Sequence, residues 1–231
     1  MKNSKAPALN HIGFILDGNR RWARKRGLPT LQGHKKGYEN LKKIVKECIN
    51  SGISYVSAYV FSAENWNRSK EEVTYLMDLA LILAKKEVKE LHKEGIRVRF
   101  LGSDDRLNSK LIDAIRQAEE LTKNNTRGTV AICFNYGGKS EIAAAATKAQ
   151  KTAQNGIITE VDIEQNLYAN DVPPIDLVIR TSGEQRLSGF MLWRAAYAEL
   201  LFVDTYWPDF SVRDLHNAIT EYNKRERRFG V

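Results

Sequence analysis

The chain has 231 residues, 42% hydrophobic and 28% charged, with 15 glycines and 5 prolines, which excludes a disordered or collagen-like polymer and fits one medium-sized globular domain. Lysine and arginine total 36 against 28 acidic residues, a net charge of +8; this favours anionic partners without choosing among nucleic acid, phosphorylated small molecules and a lipid surface. The two cysteines, Cys48 and Cys133, form no CxxC, which argues against a disulfide framework or a structural zinc site and for a reducing cytoplasm.

Residues 1–9 lack the apolar core of a secretory signal and are expected to be flexible. The longest apolar stretches, such as 79–84, fall far short of the roughly 18 residues of a spanning helix, although nothing prevents contact with a membrane surface. A strand is predicted over 11–16. It runs into Asp17-Gly18-Asn19-Arg20-Arg21-Trp22, where a carboxylate at a strand end, a glycine and following arginines suit a metal-bridged phosphate. The plainer alternative is an Asp-Gly turn that caps a helix, with solvated arginines. Gly33-His34 offers a further donor, although a lone histidine is more often a packing residue. A helix is predicted over 36–50 and a second strand over 53–61. The strand is followed by Ser62-Ala63-Glu64-Asn65-Trp66-Asn67-Arg68-Ser69. Ser69 and Glu72 have capping-box spacing; capping leaves Asn65, Trp66 and Arg68 unexplained, and such a loop at a strand's end points to function.

The helix predicted over 69–94 carries an apolar stripe (Val73, Leu76, Met77, Ala80, Ala84, Val88, Leu91), yet Tyr75, Leu79, Leu81, Ile82 and Leu83 fill much of the remaining surface. Either it is buried between sheet and neighbours, or one side lines a cavity for a long hydrocarbon. A strand over 96–101 leads to Asp104-Asp105-Arg106-Leu107-Asn108, where the aspartates are expected to cap a helix over 106–123. Then come a strand over 129–135, helices over 139–154 and 160–168, and a strand over 175–180. That strand delivers Arg180-Thr181-Ser182-Gly183-Glu184-Gln185-Arg186-Leu187-Ser188, a second candidate anion site or a basic surface loop. Glu199 lies among apolar residues and must be paired, protonated or metal-bound. A strand over 200–203, a helix over 211–225 and a basic terminus complete the chain. Nearly continuous apolar strands alternating with helices predict a single α/β domain with a central, mostly parallel six-stranded sheet flanked by helices. Ligands then bind beyond the strands' carboxyl ends.

Arginine-rich strand-end loops with an aspartate and a glutamate suggest two phosphate groups and a magnesium ion. No GxxxxGK[ST] or strand-following GxGxxG is present. Asp104-Asp105-Arg106-Leu107-Asn108 lacks the last aspartate of a DDxxD motif. The ordered set 17–22, Gly33-His34, 61–68, Asn135-Tyr136-Gly137-Gly138, 176–188, Trp207-Pro208-Asp209-Phe210 and 226–230 resembles the cis-prenyltransferase family, over nearly the whole chain. The resemblance implies a homodimer spanning 1–231 that extends an allylic diphosphate, usually farnesyl diphosphate, with isopentenyl diphosphate in a hydrophobic tunnel between sheet and helices. It implies a long product such as undecaprenyl diphosphate, a precursor of the cell-wall lipid carrier. By the same resemblance, Gly18, Asn19, Arg20, Arg21 and Trp22 hold the allylic diphosphate with His34 nearby. Asp17 and Glu199 are assigned to Mg2+. Ser62, Ala63, Glu64, Trp66 and Arg68 contact substrate, and Asn65 assists proton removal. Arg180, Arg186, Leu187 and Ser188 hold isopentenyl diphosphate, and Arg228 and Gly230 complete the partner subunit's site. A cytoplasmic location with peripheral membrane contact would serve product release. The chain departs from the family pattern at Thr30, where an arginine is usual, at Gly189, and at Arg194, where glutamine is usual. A nucleic-acid binder is the competing class. It lacks support because the arginines gather in strand-end loops, and no RRM, zinc finger or basic recognition helix is present. An inactive, binding-only relative is a third reading.

Overall fold

The computed structural model describes residues 8–151 and 156–225. Its strands are β1 (His11–Ile15), β2 (Tyr55–Ser62), β3 (Ile96–Leu101), β4 (Gly128–Tyr136), β5 (Leu177–Arg180) and β6 (Glu199–Phe202). They form one six-stranded sheet in the order β3-β4-β2-β1-β5-β6, and every pairing is parallel. An all-parallel sheet is covered on both faces, so its inner strands are buried and mostly apolar. Each residue of β1 and of β4 is buried.

The helices are α1 (Asn19–Lys25), α2 (Thr30–Asn50), α3 (Lys70–Ile82), α4 (Val88–Lys93), α5 (Ser109–Thr122), α6 (Gly138–Ala149), α7 (Glu160–Asn166) and α8 (Val212–Lys224). On one face, Ile44, Leu76, Leu83, Leu111 and Leu215 pack against Phe14, Val56 and Phe61 of the sheet. The other face is covered by Val172, Phe190, Met191 and Ala195, which meet Ile15, Tyr59 and Val178.

All six strands fall where the apolar pattern predicts them; several helices differ. α1 is absent from the predicted list because it buries only Ala23 and has no apolar stripe. The helix over 69–94 is interrupted by a π-turn at Leu83–Glu87, an insertion that redirects the side chains after it. The cap of α5 is Asn108, whose Oδ1 accepts from Leu111 N–H at 2.9 Å. Asp104 instead pairs with Arg116 at 3.2 Å, because the helix begins three residues later than predicted.

Connections leaving β1 and β5 diverge, β1 toward β2 and β5 toward β6, on opposite sides of the sheet. A crevice therefore opens beyond the carboxyl ends of these neighbours, and Asp17 and Arg180 stand at it.

Candidate active site

A cavity of about 750 Å3 starts at this crevice and runs between sheet and helices. Its mouth is lined by five arginines (Arg20, Arg21, Arg24, Arg68, Arg180) against two carboxylates, Asp17 and Glu64. Deeper in, Leu41, Leu76, Leu79, Ala80, Leu83, Ile132 and Phe134 form the wall. A second cavity of about 260 Å3 shares Tyr38, Leu41, Leu83 and Ile132 with the first. In the 69–94 segment, Leu76 and Leu83 belong to the packed core and also face the cavity, so burial against the sheet and a place in a cavity wall are compatible.

Gly18 links β1 to α1 with φ +106°, and a Cβ there would lie 2.9 Å from the Tyr206 ring. That backbone is open to glycine and strained for other residues. It points the first turn of α1 at the crevice, where the initial amides of a helix have no helical acceptor and the dipole favours an anion. Asp17 receives Arg180 at 2.9 Å and Arg21 at 3.1 Å. Burial alone would raise its pKa; the hydrogen bonds from Arg180 and Arg21 outweigh it and hold the carboxyl below its ordinary value. Arg21 also reaches Glu184 at 2.8 Å.

Glu72 organises the opposite side of the mouth. Its Oε1 accepts from His34 Nε2 at 2.8 Å and Arg68 at 3.0 Å, with Arg20 at 3.8 Å. Glu72 and His34 are buried. Desolvation lowers the His34 pKa despite the carboxylate beside it, so the imidazole is neutral at pH 7, with its Nε2 proton directed at Glu72. The sequence reading explained Glu72 as a cap, but only its backbone caps: Glu72 N–H donates to Ser69 Oγ at 3.3 Å while the carboxylate turns to the cations. The signal available in sequence was an arginine, Arg68, four residues before Glu72 and within reach of its carboxylate.

Arg180, 4% exposed, donates to Asp17, to Ser188 Oγ at 2.9 Å and to the Arg186 carbonyl. Its Nε is buried and has no partner. Arg186 is more exposed and pairs with Glu184 at 2.5 Å.

The mouth thus gathers Asp17, Gly18, Asn19, Arg20, Arg21, His34, Ser62, Glu64, Asn65, Arg68, Arg180 and Ser188. Trp22, Ala63, Trp66, Arg186 and Leu187 do not line the cavity. Trp22 donates to Asp209 at 2.7 Å. Trp66 donates to Asn135 at 2.8 Å, with the Arg106 guanidinium 4.3 Å over its ring, so it braces its loop. Capping accounts for part of Asn65 after all, since its Oδ1 accepts from Ser62 N–H at 3.2 Å in a capping box.

Glu199 is not brought to this site. It is in register with Leu177, whereas Phe202 is in register with Arg180; three residues of strand place it about 10 Å toward the sheet's amino-terminal edge. There Arg225 donates to it at 2.6 Å, so pairing, rather than a metal shared with Asp17 in one chain, satisfies its charge. Among the described residues no cluster of three or more His, Cys, Asp or Glu side chains could hold a metal ion. Arg228 and Gly230 lie outside the described residues.

Residues 15–230 match the model of the undecaprenyl diphosphate synthase family, a group of prenyltransferases. The chain is 48% identical over 223 residues to an isoprenyl transferase of Thermotoga maritima, covering 95% of this chain and 96% of that protein. It is 45% identical to a trans,polycis-polyprenyl diphosphate synthase of Thermobifida fusca specific for (2Z,6E)-farnesyl diphosphate, covering 95% of this chain and 80% of that one. Among solved structures it resembles lavandulyl diphosphate synthase from Lavandula x intermedia in complex with dimethylallyl diphosphate (TM-score 0.91, 37% identity, 96% and 98% coverage). A probable undecaprenyl diphosphate synthase from Campylobacter jejuni aligns with TM-score 0.82 at 30% identity, covering 97% of this chain and all of that one.

Proposed function

The chain belongs to the undecaprenyl diphosphate synthase family of cis-prenyltransferases, and from that premise we propose that it extends farnesyl diphosphate with successive isopentenyl diphosphate units to give undecaprenyl diphosphate. The observation that carries this reading is the cavity itself. An arginine-rich mouth opens directly onto an apolar bore, complementary to an amphiphile with an anionic head and a hydrocarbon tail.

The diphosphate of the allylic substrate sits against the first turn of α1, held by Arg20, Arg21 and Arg68, with His34 nearby, its one N–H committed to Glu72. Isopentenyl diphosphate is held by Arg180 and Ser188, with Arg186 at the outer edge. The new carbon–carbon bond forms between the isopentenyl double bond and the allylic carbon as the allylic carbon–oxygen bond breaks, and a proton then leaves the former isopentenyl unit. Arginines aimed at the departing diphosphate stabilise charge where it develops, and the leucine-lined bore keeps water from the cation-like carbon. Asn65, at the cavity wall, assists proton removal.

Magnesium fits one feature of the site: Asp17 is an ionised carboxylate at the diphosphate position, and Mg2+ in phosphate sites is commonly bound by one or two carboxylates plus substrate oxygens. Asp17 would hold the ion with substrate phosphates; bound there, magnesium neutralises leaving-group charge. No helix among the described residues is long and apolar enough to cross a membrane. The proposal includes a homodimer completed through Arg228 and Gly230, working in the cytoplasm and releasing its lipid product by peripheral membrane contact.

The test is incorporation of labelled isopentenyl diphosphate, with chromatography of the dephosphorylated product. Incorporation is expected to require farnesyl diphosphate and Mg2+, to stop with a chelator, and to yield an undecaprenol-length chain. Asp17→Asn should lower turnover about a hundredfold or more with an unchanged circular-dichroism spectrum. A product one isoprene unit longer than the primer, or full activity of Asp17→Asn, would overturn the reading.

A further inference from the structure

The segment that carries Ser188 is held in an unusual backbone conformation. Ser188, Gly189 and Met191 have φ of +50°, +79° and +39°, and residues other than glycine stay in that region only where their surroundings fix them. At the near end, Ser188 Oγ accepts from Arg180 and Gly138 N–H donates to the Gly189 carbonyl at 2.9 Å. The far end turns on Arg194, where the family resemblance leads one to expect glutamine.

Arg194 is 3% exposed and its guanidinium is almost fully used. Nε donates to the Val172 carbonyl at 3.0 Å, Nη2 to the carbonyls of Tyr168 at 2.6 Å and Ala169 at 3.1 Å, and Nη1 to Glu141 at 2.9 Å. Glu141, 1% exposed, lies in the first turn of α6 and also accepts from Tyr136 OH at 2.5 Å and Tyr168 N–H at 3.1 Å. The backbone of Arg194 is engaged as well: its carbonyl accepts from Ile175 N–H at 2.8 Å, and the next amide, Ala195 N–H, donates to the Met191 carbonyl at 2.8 Å. The side chain therefore joins α6, just after β4, to the chain leading into β5, and the backbone beside it ties that anchored point to the turn that presents Ser188. A glutamine amide has two N–H donors where guanidinium has five, and could not serve these four acceptors. The departure at position 194 is matched by the buried carboxylate at 141.

We propose that Arg194, paired with Glu141, is a positioning residue for the isopentenyl diphosphate half of the site: it sets the Ser188 turn against Arg180. The inference rests on the reading that Arg180, Arg186 and Ser188 hold that substrate. Arg180 itself keeps its bond to Asp17 when Arg194 is changed, so the allylic half is left in place and the two substrates respond differently.

Arg194→Lys retains the buried charge but loses the planar fork, and Glu141→Gln/Arg194→Gln removes both charges so that neither is left unpaired. Both are measured for KM with each substrate, alongside thermal melting and Arg186→Ala as a control. Each Arg194 variant is expected to raise KM for isopentenyl diphosphate about fivefold or more, with KM for farnesyl diphosphate changed less than about twofold, a split that general loosening of the fold does not produce. Arg194→Lys should shift it less than the double variant. Equal rises for both substrates, or a parental isopentenyl KM in folded Arg194→Lys, would overturn the proposal. If Arg186→Ala raises KM for isopentenyl diphosphate and the Arg194 variants do not, only the positioning role falls. If Arg186→Ala also leaves it unchanged, the assignment of the isopentenyl half falls.

Discussion

At the scale of single residues the mouth of the cavity is a balance between a few carboxylates and a larger number of guanidiniums. Glu72 holds His34 and Arg68 and lies near Arg20. Without it, Arg68 loses an ionic partner and His34 the acceptor for its proton. Glu72→Ala is expected to cost about 2 kcal/mol of stability, the value of hydrogen bonds to a charged group. It should also raise KM for the allylic substrate more than for isopentenyl diphosphate; chemical denaturation and two-substrate kinetics check both. Asp17, Arg180 and Asn65 were legible in sequence because they follow strands, where ligands of such sheets bind. Glu72 was hidden by a simpler explanation, since serine three residues before glutamate at a helix start is a capping pattern. Glu199 misled for a related reason. An apolar neighbourhood signals that a carboxylate needs a partner without saying which, and its partner is Arg225, 26 residues downstream.

At the scale of elements, the turn proposed to bind phosphate depends on how closely α1 approaches α2. A Cβ at Gly33 would collide with the Asn19 carbonyl, and one at Gly37 with the Asn19 side chain. Asn19 is the first residue of α1, so these two glycines set where the helix's free amides point. Gly33→Ala, which meets the Asn19 backbone, should push α1 outward, lowering the melting temperature by several degrees, since overpacking typically costs about 1–3 kcal/mol. KM for the allylic substrate should rise with it, and a parental KM would show that the contact is slack. Six strands were readable because burial on both faces writes itself as continuous apolar runs. α1 was not, because a short helix that buries one alanine leaves no periodic trace. The π-turn was invisible for another reason: an i→i+5 bond leaves the apolar spacing of 69–94 nearly helical.

At the scale of the whole molecule, stability should depend on pH through His11, wholly buried at the start of β1. Its Nε2 meets Ser57 Oγ at 2.7 Å and its Nδ1 the Pro173 carbonyl at 2.9 Å. Desolvation lowers its pKa from 6.5 to about 4, against the opposing pull of the Pro173 and Pro174 carbonyls and of Asp176. Between those values the unfolded chain binds the extra proton, so this contribution is complete above about pH 6.5 and is lost as pH falls toward 4. Integrated over that span it amounts to about 3 kcal/mol. Urea midpoints are expected to fall between pH 6.5 and 4.5 in the parent and to fall less in His11→Gln; equal slopes would refute the assignment. Parallel-sheet architecture and the order of the strands' loops could be foreseen from the alternation of elements along the chain. The partition into two cavities could not, because the residues they share come from α2, the π-turn after α3 and β4, which are distant in sequence.

That partition has a consequence for a reaction that repeats itself. On the proposed reaction new units enter at the charged end, so the oldest end of the hydrocarbon is driven steadily inward toward Tyr38, Leu41, Leu83 and Ile132, the residues that the two cavities share. The chemistry of every round is the same, and what changes is the resistance met by the leading tip. Product size is then expected to follow from the distance that tip can travel, far from the bonds being made.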